Sequence, residues 1–236
     1  MSRLLLVTGT DTGVGKTVVT CAILRALQLR GEKPVPIKPV ETGCIDLDQP
    51  EDALALSAAA PGLALGVVCP VRYRTPAAPA TAARMEGRAH SFEGLLEHVR
   101  AVRAANPRVI VEGAGGLLVP LDDGKTYADF AIELGASLLI VARDALGTIN
   151  HTSLTLEAAK SRGIPVLAVV LNAVSSPDAV FIDHRAELRA LWPGVPILGP
   201  TSRMKNLQQT TISDEISLMK FFGNDYRYLI DIITDN

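Results

Sequence analysis

Short apolar runs alternate along this 236-residue chain with longer stretches in which apolar positions recur at helical spacing. The runs Leu4–Val7, Val35–Lys38, Val109–Val111, Leu138–Val141, Val166–Leu171 and Ile197–Leu198 read as strands. The patterns between them predict helices over Lys16–Leu29, Asp52–Ala59, Phe92–Ala104, Tyr127–Leu134, Thr148–Ser161 and Asp178–Leu191. Several strand runs are apolar at every position, which a strand needs only when both of its faces are covered. Together these features predict an α/β fold, a doubly wound, mostly parallel sheet flanked by helices. Gly31, Gly135 and Gly163 each fall just past a helical run, where a left-handed residue ends many helices. No repeat or low-complexity linker interrupts the pattern, so residues 1–200 read as one domain.

Two stretches depart from it. Cys69–Arg88 is rich in Pro and Ala and predicts a long loop, either packed at a functional edge or serving as a plain surface connection. Residues 201–236 contain no Ala yet hold Phe221, Phe222, Tyr226 and Tyr228. This tail reads either as terminal helix docked on the sheet or as a segment of different origin.

Composition narrows the classes. Hydrophobic residues make up 48% of the chain, enough for a sizeable core, and the net charge of -2 argues against a nucleic-acid or anionic-membrane partner. No apolar run approaches the roughly 18 residues of a membrane span, and the N-terminus lacks the pattern of a secretory leader. Cys21, Cys44 and Cys69 are odd in number and widely spaced, which fits neither a disulfide framework nor a metal motif. A reducing cytoplasm is the expected location.

Candidate chemistry gathers where strands end. Gly9-Thr10-Asp11-Thr12-Gly13-Val14-Gly15-Lys16-Thr17 lies between the first strand and the first helix. Its glycines let backbone amides turn inward as an anion nest, and the helix N-terminus adds its dipole. The segment therefore reads as a phosphate loop, with Lys16 reaching the β- and γ-phosphates of a nucleotide and the Thr17 hydroxyl placed for Mg²⁺. Five residues rather than four separate Gly9 from Gly15, which makes it a P-loop NTPase fold of the deviant Walker A type. Lys38-Pro39-Val40-Glu41-Thr42-Gly43 follows the second strand. Ligands of parallel sheets bind at the strands' carboxyl ends, so Lys38 is expected beside Lys16, with Pro39 and Gly43 bracketing a tight turn. Val111-Glu112-Gly113-Ala114-Gly115-Gly116 ends the third strand. Glu112 suits a Walker-B-like role, since Mg²⁺ takes one or two carboxylates together with phosphate oxygens. The glycines allow a ligand close approach. Asp52 reads equally as a helix cap or a second Mg²⁺ carboxylate. Asn172, ending the fifth strand, is a turn residue or an amide facing an adenine edge. Asn150, in Gly147-Thr148-Ile149-Asn150-His151, is a helix cap or a substrate ligand. His151 reads as structural, because no partner at metal spacing accompanies it.

The pieces Thr8–Thr17, Lys38–Gly43, Asp52–Leu56, Val111–Gly116, Gly147–His151 and Asn172, in this order, resemble the dethiobiotin synthase family over roughly residues 3–200. The resemblance implies an ATP- and Mg²⁺-dependent closure of a cyclic urea on 7,8-diaminopelargonate with CO₂. It implies that Gly13, Val14, Gly15, Lys16, Thr17 and Val18 hold ATP, together with Asp52, Glu112, Gly113, Ala114 and Gly115. Thr17, Asp52 and Glu112 would serve Mg²⁺, Lys38 and Lys16 would act in catalysis, and Thr42 would contact the diamine. Asn172 and the turn Gly199-Pro200-Thr201 would meet the adenine. The family is homodimeric, with Asn150 reaching the other subunit's substrate. The chain departs from the family where Gly199-Pro200-Thr201 replaces an acidic-Ile-Pro run and Asn206 stands where an acid is common. A ParA/MinD-like ATPase switch shares the fold and a deviant phosphate loop, but that loop carries an extra lysine near its start, where this chain reads Thr10-Asp11-Thr12. A cobyrinate-type amidotransferase would need a glutaminase domain, and nothing here supplies one.

Overall fold

Residues 4–173, 183–202 and 214–235 are described by a computed structural model. Each apolar run becomes a strand of one sheet: β1 (Leu4–Gly9), β2 (Val35–Ile37), β5 (Val109–Gly116), β8 (Ala136–Arg143), β9 (Val166–Asn172) and β10 (Ile197–Leu198). All adjacent pairs are parallel, in the order β10-β9-β8-β1-β5-β2. The chain fills the β2 side of β1 first, then crosses to the other side, so ligand space opens beside the carboxyl end of β1.

Strand periodicity splits the core in two. Leu4, Leu6, Val111, Leu138, Ile140 and Val169 face a layer made by α4 (Pro79–Glu86), α5 (Phe92–Ala105), α6 (Tyr127–Leu134), α7 (Thr148–Ser161) and α8 (His184–Leu191). Their neighbours Leu5, Val7, Ile110, Leu139, Val141 and Val170 face α1 (Lys16–Leu29), α2 (Glu51–Ala59) and α3 (Leu65–Val68). Burial on both faces explains why the strand runs are uniformly apolar. The tail completes this second layer. Its described residues form α9 (Glu215–Phe222), a 3₁₀ turn over Gly223–Asp225 and α10 (Tyr226–Thr234). Phe221, Phe222, Tyr226, Leu229, Ile230 and Ile233 are buried in the α1-side core.

The expected elements match closely, and the differences lie in short ones. Residues 40–42 form β3 (Val40–Thr42) rather than a tight turn, pairing in parallel with β4 (Val71–Tyr73) in a separate small sheet. The segment 69–88 is accordingly not a loop but contains β4 and α4. Pro79 opens α4, and Gly87, at φ 60°, closes it. A hairpin of β6 (Pro120–Asp122) and β7 (Lys125–Thr126) precedes α6. The helix expected from Asp178 is described from His184, capped by the Asp183 side chain, while residues 178–182 and Asn206 lie outside the described residues. No helix among the described residues is long and apolar enough to cross a membrane.

Candidate active site

The phosphate loop runs from β1 into α1 and leaves no room for a side chain at its first glycine. A Cβ on Gly9 would meet the Asp11 carbonyl oxygen at 2.8 Å and Lys16 Nζ at 3.1 Å. Gly15, the N-cap of α1, sits at φ 91°, in the left-handed region that favours glycine. The loop edges a cavity of about 570 Å³, and Thr12, Gly13, Gly15, Lys16, Thr17 and Val18 line it. Lys38, Thr42, Asp52, Ala114 and Gly115 line it too. Lys16 and Lys38, distant in sequence, therefore share one crevice, as expected from their strand ends.

A polar knot forms part of the cavity wall, buried at Lys38 and Glu112 and open to solvent at Asp52. Lys38 Nζ donates to Asp52 Oδ2 at 2.6 Å and to Glu112 Oε1 at 2.7 Å. Thr17 Oγ1 lies 2.8 Å from Asp52 Oδ1 and 2.9 Å from Glu112 Oε1, sharing its one proton between them. Lys38 is 3% exposed and Glu112 is 0% exposed. Burial disfavours the Lys38 ammonium, but Glu112 and Asp52 outweigh it and hold its pKa well above the ordinary lysine value. Burial likewise opposes the Asp52 carboxylate, yet Lys38 draws its pKa down. Lys16 differs: burial, and then the charge of Lys38, lower its pKa to about 8. Among the described residues the one hydrogen bond of its ammonium is a 3.2 Å contact to the Asp11 carbonyl.

Asp52 does not cap α2. Glu41, on β3, does so from a distance, accepting the Asp52 N–H at 3.0 Å and the Ala53 N–H at 2.8 Å. The Asp52 side chain is left to turn toward Lys38 and Thr17. Glu112 sits within β5 rather than at its end, because the strand continues through the glycines to Gly116.

The residues expected at the adenine form a second cluster beside the loop rather than part of the cavity lining. Asn172 Nδ2 donates to the Val14 carbonyl at 2.9 Å, and Thr201 Oγ1 donates to Asn172 Oδ1 at 2.6 Å. The amide keeps one N–H and one lone pair for another partner. Asn150 is exposed at the start of α7 and does not line the cavity. Cys21 and Cys69 are pushed up to about 12 and Cys44 to about 11, each mainly by burial, so none is poised as a thiolate nucleophile.

Comparison with known proteins gives this geometry its context. A family model described as an AAA domain matches residues 3–211. The ATP-dependent dethiobiotin synthetase BioD of Anaeromyxobacter sp. (strain Fw109-5) is 51% identical over 177 residues, 75% of this chain and 79% of that one. The enzyme of the same name from Bacillus velezensis is 35% identical over 91% of this chain and 92% of its own. The chain belongs to the dethiobiotin synthetase family. Among solved structures, the cell division ATPase MinD of Pyrococcus furiosus has a TM-score of 0.56 at 18% identity, covering 100% of this chain and 99% of that one. A ParA family ATPase from Chlorobium tepidum scores 0.54 at 16% identity, covering 100% and 98%. These likenesses concern the fold alone.

For a member of this synthetase family, several cavity residues escaped sequence reading: Glu41, Pro76, Ala77, Ala78, Pro79 and Val119. Four of these, Pro76–Pro79, belong to the segment 69–88, which reads equally as a functional edge or a plain surface connection, and its unusual Pro and Ala content was the available signal.

Proposed function

We propose that the enzyme carboxylates 7,8-diaminopelargonate with CO₂ and closes the ring at the expense of ATP, giving dethiobiotin, ADP and phosphate. The observation that carries this reading is the convergence of Lys16, Lys38 and Thr17 on one cavity over the Asp52–Glu112 pair. Gly13–Val18 cradle the phosphates through backbone amides, with Ala114 and Gly115 also in the cavity wall. Thr17, Asp52 and Glu112 would hold Mg²⁺. Among the described residues Glu112 Oε2 is a buried oxygen without a hydrogen-bond partner, and hard oxygen donors of this kind fit that ion. When bound, Mg²⁺ supplies neutralisation of charge on the phosphate oxygens.

The reaction follows from the positions of the cations. One substrate amine adds to CO₂, losing a proton, and forms a carbamate. A carbamate oxygen attacks the γ-phosphorus, ADP departs, and a carbamic-phosphoric anhydride results. The second amine attacks the carbonyl carbon, phosphate leaves with its bonding pair, and loss of a proton completes the cyclic urea. Negative charge accumulates on carbamate and phosphoryl oxygens throughout. Lys16 meets the phosphate side. Lys38 has three N–H donors, two engaged by carboxylates, which leaves the third for an anionic oxygen in the cavity. Thr42, at the cavity wall beyond Lys38, contacts the diamine and helps hold its two amines in line.

We assign the adenine to Asn172 and the Gly199–Thr201 turn, and a homodimer to the α7 surface. Supporting the dimer, Asn150 is exposed and Leu154, one helical turn later, is 61% exposed. The reading is tested with radiolabelled bicarbonate. Label enters an acid-stable product only when ATP, Mg²⁺ and the diamine are all present. Absence of labelled ring under those conditions would refute the reading.

A further inference from the structure

The Gly199–Thr201 turn is held from the tail. Asp225 Oδ2 accepts the Gly199 N–H at 2.8 Å, and Oδ1 accepts from Arg185 Nη2 at 2.7 Å. Arg185 in turn donates to the Gly199 carbonyl at 3.0 Å and to the Ile197 carbonyl at 3.1 Å. Two further bonds join the turn to the end of α9, from Ser202 N to the Phe221 carbonyl at 2.8 Å and from Ser202 Oγ to the Lys220 carbonyl at 2.6 Å. The other side of the turn is equally constrained. Gly199 has φ +97°, a Cβ there would lie 2.5 Å from the Leu171 carbonyl oxygen, and Thr201 N donates to that same oxygen at 3.0 Å. Through Thr201 and Asn172 the chain of bonds reaches the Val14 carbonyl of the phosphate loop.

Asp225 occupies the N-cap position of α10, where an aspartate ordinarily bonds its own helix, yet it makes no such cap. Its carboxylate is committed to the turn and to Arg185, and its side chain is only 16% exposed, so these charge-assisted bonds are partly shielded from water. It also lies beyond residue 211, where the family match ends.

We propose that Asp225 is a positioning residue for nucleotide binding, fixing from the tail the turn that receives the base of ATP. The inference rests on the reading of Asn172 and Gly199–Thr201 as the base site. It deepens that reading by giving the tail a role in ATP selection.

The test compares calorimetric affinities for ATP and for inorganic tripolyphosphate, which fills the phosphate loop but carries no base. Asp225→Ala is expected to weaken ATP by roughly tenfold while tripolyphosphate changes by less than about twofold, and to raise KM for ATP more than it lowers kcat. Equal weakening of both ligands, or of neither, overturns the proposal, because a merely structural anchor would not discriminate between them. Should Asp225→Ala fail to fold, Asp225→Asn keeps an acceptor for the Gly199 N–H and gives up the charge. It is expected to show the same selectivity at roughly threefold, and equal effects on both ligands again overturn the proposal. Thr201→Val, measured in parallel, separates the two levels. If it weakens ATP selectively and Asp225→Ala does not, the base site stands and Asp225 has no part in it. If neither variant does, the base assignment itself is wrong.

Discussion

Lys38→Gln lowers turnover by about a hundredfold or more while ATP binds with nearly wild-type affinity. Lys38 lies outside the phosphate loop, so the loop's amides and Lys16 still hold the nucleotide. On the proposed mechanism, what is lost is the cation facing the carbamate and the transferring phosphoryl group. Lys38→Arg restores only part of the loss, because a rigid fork suits a moving anion less well than a compact ammonium on a flexible stem. The same substitution affects stability. Glu112 is fully buried, and Lys38 is the cation that neutralises it. Breaking a buried pair from one side costs about 3–5 kcal/mol. The free Lys38→Gln protein is therefore expected to melt well below wild type, and saturating Mg²⁺ to recover part of the difference. Thermal unfolding with and without the ion, set beside steady-state kinetics and calorimetry, checks both. Normal turnover in Lys38→Gln would reduce the lysine to a structural charge, and collapse of ATP binding would make it a nucleotide ligand.

Lys16→Met removes nucleotide-dependent activity, by roughly a hundred- to a thousandfold, and takes ATP affinity with it. Its effect on stability has the opposite sign. Lys16 is 7% exposed and has no carboxylate partner among the described residues, and burial with the nearby Lys38 holds its pKa down near 8. A lysine whose folded pKa is lowered is protonated more readily in the unfolded chain, so it opposes folding at neutral pH, and its own contribution to stability rises with pH between about 8 and 10.5, against the opposite contribution of the buried cysteines above about pH 9. Lys16→Met should flatten that rise and leave the free protein as stable as wild type or more so. Phosphates beside Lys16 raise its pKa again. ATP binding near pH 8.5 should therefore take up a proton in wild type, measurable by calorimetry in buffers of different ionisation enthalpy. Wild-type kinetics in Lys16→Met would mean that this glycine loop is not the ATP site.

The contrast between the two lysines was not legible in the sequence, although both were singled out there. Each reads as a cation at a strand end, and only the fold shows that one is neutralised by Asp52 and Glu112 while the other is not. The main sheet was legible because its strands are buried on both faces, which leaves continuous apolar runs. Val40–Thr42 and Val71–Tyr73 are three residues each, too short for any period to register. The helix at 79–86 hid in an Ala-rich composition, although Pro79 at its start and Gly87 at its end are the marks such helices carry. Asp52 could be read as a cap because it opens a helix. Nothing local reveals that Glu41, eleven residues earlier, takes that task. The clamp of Asp225 on Gly199 and Arg185 spans 26 and 40 residues and combines types found anywhere on a surface, so it carries no sequence signal.

Phosphate release is the measurement that bears most directly on the synthetase reading. Purified enzyme with ATP and Mg²⁺ is compared before and after addition of 7,8-diaminopelargonate and bicarbonate. On the proposed reaction the cavity presents cations to a carbamate and a phosphoryl group, and the two carboxylates of its lining are engaged, Glu41 by the α2 N–H groups and Asp52 by Lys38 and Thr17, rather than free to activate water. Release should therefore be slow with ATP alone and rise by at least about a hundredfold with both co-substrates, at one phosphate per ring closed. Full-rate release from ATP alone, unchanged by the diamine, would contradict the account and favour an ATPase switch built on the same fold.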